Sequence, residues 1–460
     1  MNAGYSERDI TPTEPGITLS GFASRCNRPS EGVDDPLAVR ALVIEEGDTR
    51  VLLLAFDLLA IGPELAGEIH DALDRCPDLA IPRERRVLCC THTHSAPATI
   101  TLHGCGVPVR SYWDRVCAEA RGAAAEACQR LRPAQLRHAT VRAPGTALNR
   151  RRVLADGRVV MGESPDAPVV RTGPTPDTLL VFRLDGERGE PIAAIVHGAA
   201  HPVTMCTPRI SADYPGELCR RLAAKLGMPF VFLQGACGNI NPPALARARA
   251  DMLRHVGALM PAFESIAWSA PLPPAPLAAR GATLPLRYAP APKPAVLERI
   301  EIGTAAIAEG REGTPEADAL MATFFGAKSG WPADSPVRRH IAGAMRDWAR
   351  GIRAAGNGPG ACPLALQVWR MGSLCWCFVA AETFIETAIA VQAALPALTT
   401  AVVGYASPLV GYLPTDAALD EGGYEVEHAY RFYGHPAPFA RGSEPAVVAR
   451  IKALAAAGGG

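Results

Sequence analysis

Two histidines one residue apart follow a short apolar run in RVLCCTHTHS, and this is where the sequence first offers chemistry. If the strand continues through the pair, its period of two puts His92 and His94 on one face. Two imidazoles on one face share a metal ion, or one binds it while the other moves protons. A pair of loop histidines with hydroxyl neighbours is the plain alternative, and so short a motif does not choose between them. A second cluster, His197 and His201, follows the apolar run PIAAIV. Gly198 and Pro202 argue against the helix a zincin would need, so one histidine is expected to face the site and the other to pack locally.

Other polar residues also stand where apolar runs end. Glu382 closes WCFVAAE, where a carboxylate completes a histidine metal site or caps the next helix. In FLQGACGNINPP, Gly235 and Gly238 permit close backbone approach, with N–H groups available as an oxyanion hole. Cys237 is a weak nucleophile candidate as one of 13 cysteines. Asp213 is expected in the first turn of a helix, a structural post. Tyr412 offers a phenol as metal ligand or oxyanion donor, against the ordinary packing role of a tyrosine.

These residues need elements to hold them. The chain of 460 residues suits one large enzyme domain, and its 48% hydrophobic content builds a sizeable core. Lysine plus arginine and aspartate plus glutamate number 46 each, without the basic excess expected of a nucleic-acid binder. The most apolar stretch, VLLLAFDLLAIG, is broken by Asp57 and is shorter than the roughly 20 residues of a membrane span. Glu7 and Asp9 stand where a signal peptide needs an apolar run, so a cytoplasmic protein with reduced cysteines is expected.

Hairpins are predicted at ALVIEE/RVLLLAFD and DTLLVFRL/PIAAIVHG. Helices are predicted near IGPELAGEIHDALDRC, from Ser111 to Leu131, at GELCRRLAAKLG, from Arg247 to Ile266 and at FIETAIAVQAAL. The proline-rich stretch after Ala270 contains a candidate strand, ATLPLRYA, and stays inside the domain. Two helical segments then lead to the strands LALQVWRMG and LCWCFVAAE. No solenoid repeat is visible. Hairpins mixed with crossovers give an α/β (α+β) expectation: layered mixed sheets flanked by helices.

Taken in order, YSERDITP, THTHS, AAHPVTM, SADYPG, QGACGNINP, AAETF and GYLPT resemble the neutral (non-lysosomal) ceramidase family along nearly the whole chain. The resemblance implies a single catalytic domain over 1–454, with a flexible tail at 455–460. It implies a zinc amidohydrolase that cuts a linear N-acyl bond, with one zinc per chain held by His92, His201, Glu382 and Tyr412. His94 matches a further active-site histidine, and Arg150 in ALNRR matches an arginine that holds substrate. A second, structural cation stays open, with no ligands assigned.

The resemblance breaks at one position that matters. The family's turn reads Gly-Asp-Val-Ser-Pro-Asn, with the serine treated as nucleophile, whereas Asn241 stands here. An amide forms no acyl-enzyme, though it orients water or donates a hydrogen bond. The expected mechanism is therefore attack by metal-activated water, with His94 carrying the proton and Arg150 and the Gly238 region meeting the oxyanion. The expected partner is a small acyl-amide substrate, with no nucleic acid, no integral membrane segment and no oligomeric state assigned. The sequence is expected to lack the family's C-terminal immunoglobulin-like domain, and a substrate other than ceramide itself is expected. An esterase on the same site, a barrel-type amidohydrolase and an inactive metal-binding protein are the other readings. The hairpins argue against the barrel.

Overall fold

The computed structural model describes residues 1–77, 79–161, 167–243, 247–325, 335–356 and 360–456. Most of the expected tail, 457–460, lies outside the described residues, while Ala455 and Ala456 end a helix, Ser443–Ala456, and so are not tail.

The main sheet has eight strands: β1 (Asn2–Asp9), β2 (Ala38–Glu46), β3 (Thr49–Phe56), β4 (Arg86–Cys90), β5 (Arg132–Arg142), β6 (Thr178–Gly186), β7 (Pro191–Gly198) and β8 (Phe230–Gln234). Their spatial order is β8-β7-β6-β5-β1-β2-β3-β4, antiparallel except for the pairs β3/β4 and β7/β8. Both predicted hairpins are present, β2/β3 turning at Gly47 with a φ of 56° and β6/β7 turning at Gly189. β3 and β4 read as near-continuous apolar runs because both faces are covered: Val51 through Phe56 and all five residues of β4 are buried. Each large side chain so buried contributes about 1.5–3 kcal/mol.

A second sheet orders β9 (Leu277–Leu286), β10 (Cys362–Met371), β11 (Leu374–Val379) and β12 (Thr399–Val403), with β11/β12 parallel. It packs on the first sheet, where Phe182 meets Trp376 with ring centroids 5.0 Å apart. The candidate strand in the proline-rich stretch starts earlier than expected, at Leu277, because ten residues pair with β10. Helices flank the sheets. α1 (Pro63–Asp74) and α2 (Arg110–Gln129) pack together, and α2 lies across β1 and β2, with Ser6 donating to Glu126 at 2.6 Å. α3 (Asp213–Leu226) lies beside β8, and α4 (Arg249–Leu259) packs on α3.

Between β9 and β10 the chain forms three helices, not the two expected: α5 (Pro294–Ala308), α6 (Pro315–Phe325) and α7 (Pro336–Ala354). Gly310, at a φ of 79°, ends the first, and Thr314 then caps the second by accepting from Ala317 N at 3.3 Å. α7 buries Val337, Ile341, Met345, Trp348 and Ile352, one helical face. α8 (Ile385–Ala394) and the helix Ser443–Ala456 back the second sheet. Among the described residues, no helix is long and apolar enough to cross a membrane.

Burial also sets a pH response. His255 on α4 packs edge-on against Tyr214, and burial pushes its pKa down to about 4. An unfolded histidine titrates near 6.5, so below that pH the unfolded chain takes up a proton that the folded chain refuses. The neutral ring's contribution is complete above about pH 6.5 and falls away towards pH 4, by up to about 1.4 kcal/mol per pH unit. His255→Phe is expected to flatten that slope in urea midpoints measured at pH 7, 5.5 and 4.5. An unchanged slope would assign the acid sensitivity elsewhere.

Candidate metal centre

The three histidines and Glu382 follow the carboxyl ends of strands that belong to the parallel pairs β3/β4, β7/β8 and β11/β12. The sheet edges β4 and β8 approach one another there, and the chain after β12 closes the gap through bridges Gly235↔Val403 and Cys89↔Ala406. Crevices of this kind bring together loops distant in sequence.

The strand carrying the first histidines stops at Cys90, so alternation does not place them. His92 instead takes a φ of 67°, a conformation that costs a non-glycine residue energy and persists where surroundings enforce it. Its N–H donates to Leu58 O at 2.9 Å and its Nδ1 to Leu59 O at 2.8 Å. The kink turns Nε2 towards His94 Nε2 at 3.2 Å and His201 Nε2 at 3.1 Å. His94 is the more exposed of the pair, and it fits only because Gly21 lacks a side chain: a Cβ there would stand 2.4 Å from its Nδ1. His201 follows β7, with its Nδ1 donating to Cys237 O at 2.9 Å. His197 turns away, and its Nε2 meets Val402 O at 2.9 Å.

Glu382 reaches the same point, with Oε2 at 3.4 Å from His92 Nε2 and 3.6 Å from His201 Nε2. Tyr433 donates to its Oε1, and the Tyr405 hydroxyl lies 3.4 Å from Oε2. Burial pushes the carboxyl up, but His92, Tyr433 and Arg150 outweigh it and hold the pKa below its ordinary value. Burial, reinforced by neighbouring positive groups, drives His94 and His201 well below theirs, so both rings stay neutral.

The donor set fits a metal ion. Because Nδ1 of His92 and of His201 each faces a carbonyl, Nδ1 is the donor in both, and Nε2 of a neutral ring so held presents a bare lone pair to the centre. Two lone pairs 3.1 Å apart with a carboxylate oxygen beside them repel unless a cation lies among them. Tetrahedral zinc with bonds of about 2.0–2.1 Å would separate its donors by about 3.3 Å. The nitrogens of His92, His94 and His201 all lie within 4.8 Å of one another.

The remaining predicted residues form an adjoining group. Tyr412 pairs by backbone with Glu382, while its hydroxyl accepts from Arg150 Nη2 at 3.0 Å. Arg150, nearly buried, also donates to Glu425 Oε1 at 2.9 Å, and its Nη1 lies 3.5 Å from Asn241 Oδ1. The N–H groups of the two glycines are not free to serve as oxyanion donors. Gly235 N already donates to Gly198 O at 2.7 Å and Gly238 N to Thr383 O at 2.8 Å. A Cβ on Gly238 would come within 2.8 Å of Glu382 O, so that glycine allows the loop to press against the carboxylate's backbone. Cys237 Sγ faces Tyr405 and the Nδ1 side of His201, and burial pushes its thiol far up, which removes it as a nucleophile.

Three functional-looking residues had no individual sequence signal: Tyr405, Tyr433 and Glu425. A rich tyrosine content marked their neighbourhood, but only the structure picks them out. Among the described residues, seven non-glycine positions have positive φ, and His92, Asp213 and Tyr405 belong to the centre or to the loops around it.

The same architecture is found in solved proteins. A crystal structure of neutral ceramidase from Pseudomonas aeruginosa superposes with a TM-score of 0.65 at 19% identity, covering 98% of this chain and 73% of that one. The chain has the neutral ceramidase fold. A structure titled as ceramidase complexed with C2 gives a TM-score of 0.64 at 18% identity over the same shares of both chains. No family model and no curated protein sequence matches. Within the ceramidase fold the centre lies where four loops converge.

Proposed function

We propose that the protein is a zinc-dependent hydrolase that cleaves an N-acyl amide bond, with one zinc per chain. The observation that carries this reading is the convergence of three imidazole nitrogens and the Glu382 carboxylate on one point, with the lone pairs of His92 and His201 turned inward. Its support in the fold is the likeness to structures named as ceramidases, whose own substrate stays theirs. His92, His201 and Glu382 would hold the ion, with Tyr412 beside them. Bound there, zinc supplies Lewis acidity and lowers the pKa of water to about 7.

The chain's own residues do the rest. His94, neutral and the least buried of the three histidines, takes the proton released by the attacking water and hands it to the leaving amine nitrogen as the C–N bond breaks. The Arg150 guanidinium is held by Glu425 and Tyr412, fixed before substrate arrives, and it meets the charge developing on the carbonyl oxygen. Asn241 sits within reach of that guanidinium and orients substrate or water, since an amide side chain does not become acylated.

The test is turnover of a panel of N-acyl amides and matched esters by zinc-loaded protein, with intact-mass spectrometry during the reaction. Amide cleavage without a mass adduct is the expected result. A trapped acyl-protein would overturn attack by water, and no turnover of any member would overturn the hydrolase reading.

A further inference from the structure

The two histidine loops are joined by a side chain outside the metal set. Gln234 is the last residue of β8 and is fully buried. Its Nε2 donates to Ala200 O at 2.9 Å and to Thr91 O at 3.3 Å. Those carbonyls belong to the residues immediately before His201 and His92. The Gln234 backbone carbonyl accepts from Gly404 N at 3.0 Å, and the next residue, Tyr405, lies over the His92 ring with centroids 4.1 Å apart. One residue therefore contacts the start of both histidine loops and the segment that leads to Tyr405.

The chemistry of glutamine suits this post. Two carbonyls are met from a single point, and a primary amide carries two N–H donors on one nitrogen without bringing a charge into the core. A carboxylate of the same shape would turn lone pairs towards both carbonyls. The second loop has further anchors, one of them on the same Ala200 carbonyl. The Tyr214 hydroxyl donates to Ala200 O at 2.6 Å, and Asp213 accepts from the Thr204 hydroxyl and from Met205 N at 3.2 Å. The segment from Ala200 to Met205 also meets the His92 loop directly, through His94 N to Pro202 O at 3.4 Å and Ser95 Oγ to Met205 O at 3.3 Å, while Gln234 joins the two carbonyls that immediately precede His92 and His201.

We propose that Gln234 is a positioning residue that sets the spacing of His92 and His201 and so tunes metal affinity. The inference rests on the metal reading given above. Outer partners of ligating histidines typically change metal affinity by about 10–100-fold when replaced. Gln234→Glu and Gln234→Met are expected to weaken zinc by that factor, the glutamate more, as read by competition with a chelator of known affinity. The visible spectrum of the cobalt-substituted protein is expected to shift, because the donor geometry changes.

The readings separate cleanly. If wild-type protein binds no zinc, the metal reading fails and takes this inference with it. If wild type binds zinc and both folded variants match it in affinity and cobalt spectrum, Gln234 has no positioning role and the metal reading stands. Circular dichroism and melting of the metal-free proteins report folding. Should the glutamate variant not fold, methionine, uncharged and of similar length, carries the comparison. Failure of both to fold would also overturn the proposal, since the residue then holds the fold and not the spacing.

Discussion

Replacing His92 or His201 with alanine is expected to remove the metal and to lower turnover by at least about 10³-fold, the scale of several kcal/mol of charge stabilisation. The reason lies in the orientation of the rings. Each Nδ1 is committed to a backbone carbonyl, so neither ring can rotate to satisfy the other's lone pair, and both Nε2 atoms stay aimed at one point. Removing one leaves a site of fewer donors, with Glu382 still buried beside it. His197→Ala provides the control, because that ring meets Val402 O and stands apart from the centre. Elemental analysis should find roughly one zinc in wild type and in His197→Ala, and little in the other two. Zinc at 1,000 times its Kd should also stabilise wild type by about 4 kcal/mol and leave the two ligand variants unmoved. Wild-type protein that holds no zinc after reconstitution would end the metal reading.

The histidines and the glutamate were legible because a polar residue at the end of a fully apolar run has few structural reasons to be there. The apolar runs themselves were legible for the same cause: strands such as β3 and β4 are covered on both faces, so their sequences carry little else. What the sequence did not carry was the route to convergence. Alternation along a strand predicts a shared face for His92 and His94, but the strand stops first and a left-handed residue does the work. The glycine turn looked like a set of free N–H donors. Whether an amide is free depends on which carbonyl lies opposite, and Thr383 is 145 residues away in the chain. Tyr405, Tyr433 and Gln234 were invisible for a related reason. Each is an ordinary residue type for its element, and each acquires its role only from a neighbour brought up by the fold. Glu425 belongs with them, and it carries the second large expectation.

Glu425→Ala is expected to destabilise the protein by about 3–5 kcal/mol, the usual cost of removing one member of a buried ion pair. Glu425 is 1% exposed and accepts from Arg150 Nε at 2.9 Å and from Arg151 Nη1 at 2.8 Å. The two arginines are not equally served without it. Arg151 keeps Glu421 at 3.1 Å and the Gly422 carbonyl at 2.9 Å. Arg150 keeps only neutral hydrogen-bond partners, the Tyr412 hydroxyl and the Asn241 amide, with the Glu382 carboxylate acting on it through space, so it is the arginine that loses its bonded counter-charge in the core. Glu425→Gln should cost less than alanine, since an amide oxygen still accepts one of the two bonds. Joining Glu425→Ala to Arg150→Met should recover part of the loss, because the stranded charge is then gone. Denaturant midpoints of the four proteins decide this. If the double variant is no more stable than Glu425→Ala, the cost arises from lost packing around the site, and Arg150 owes its position to Tyr412 and the backbone instead.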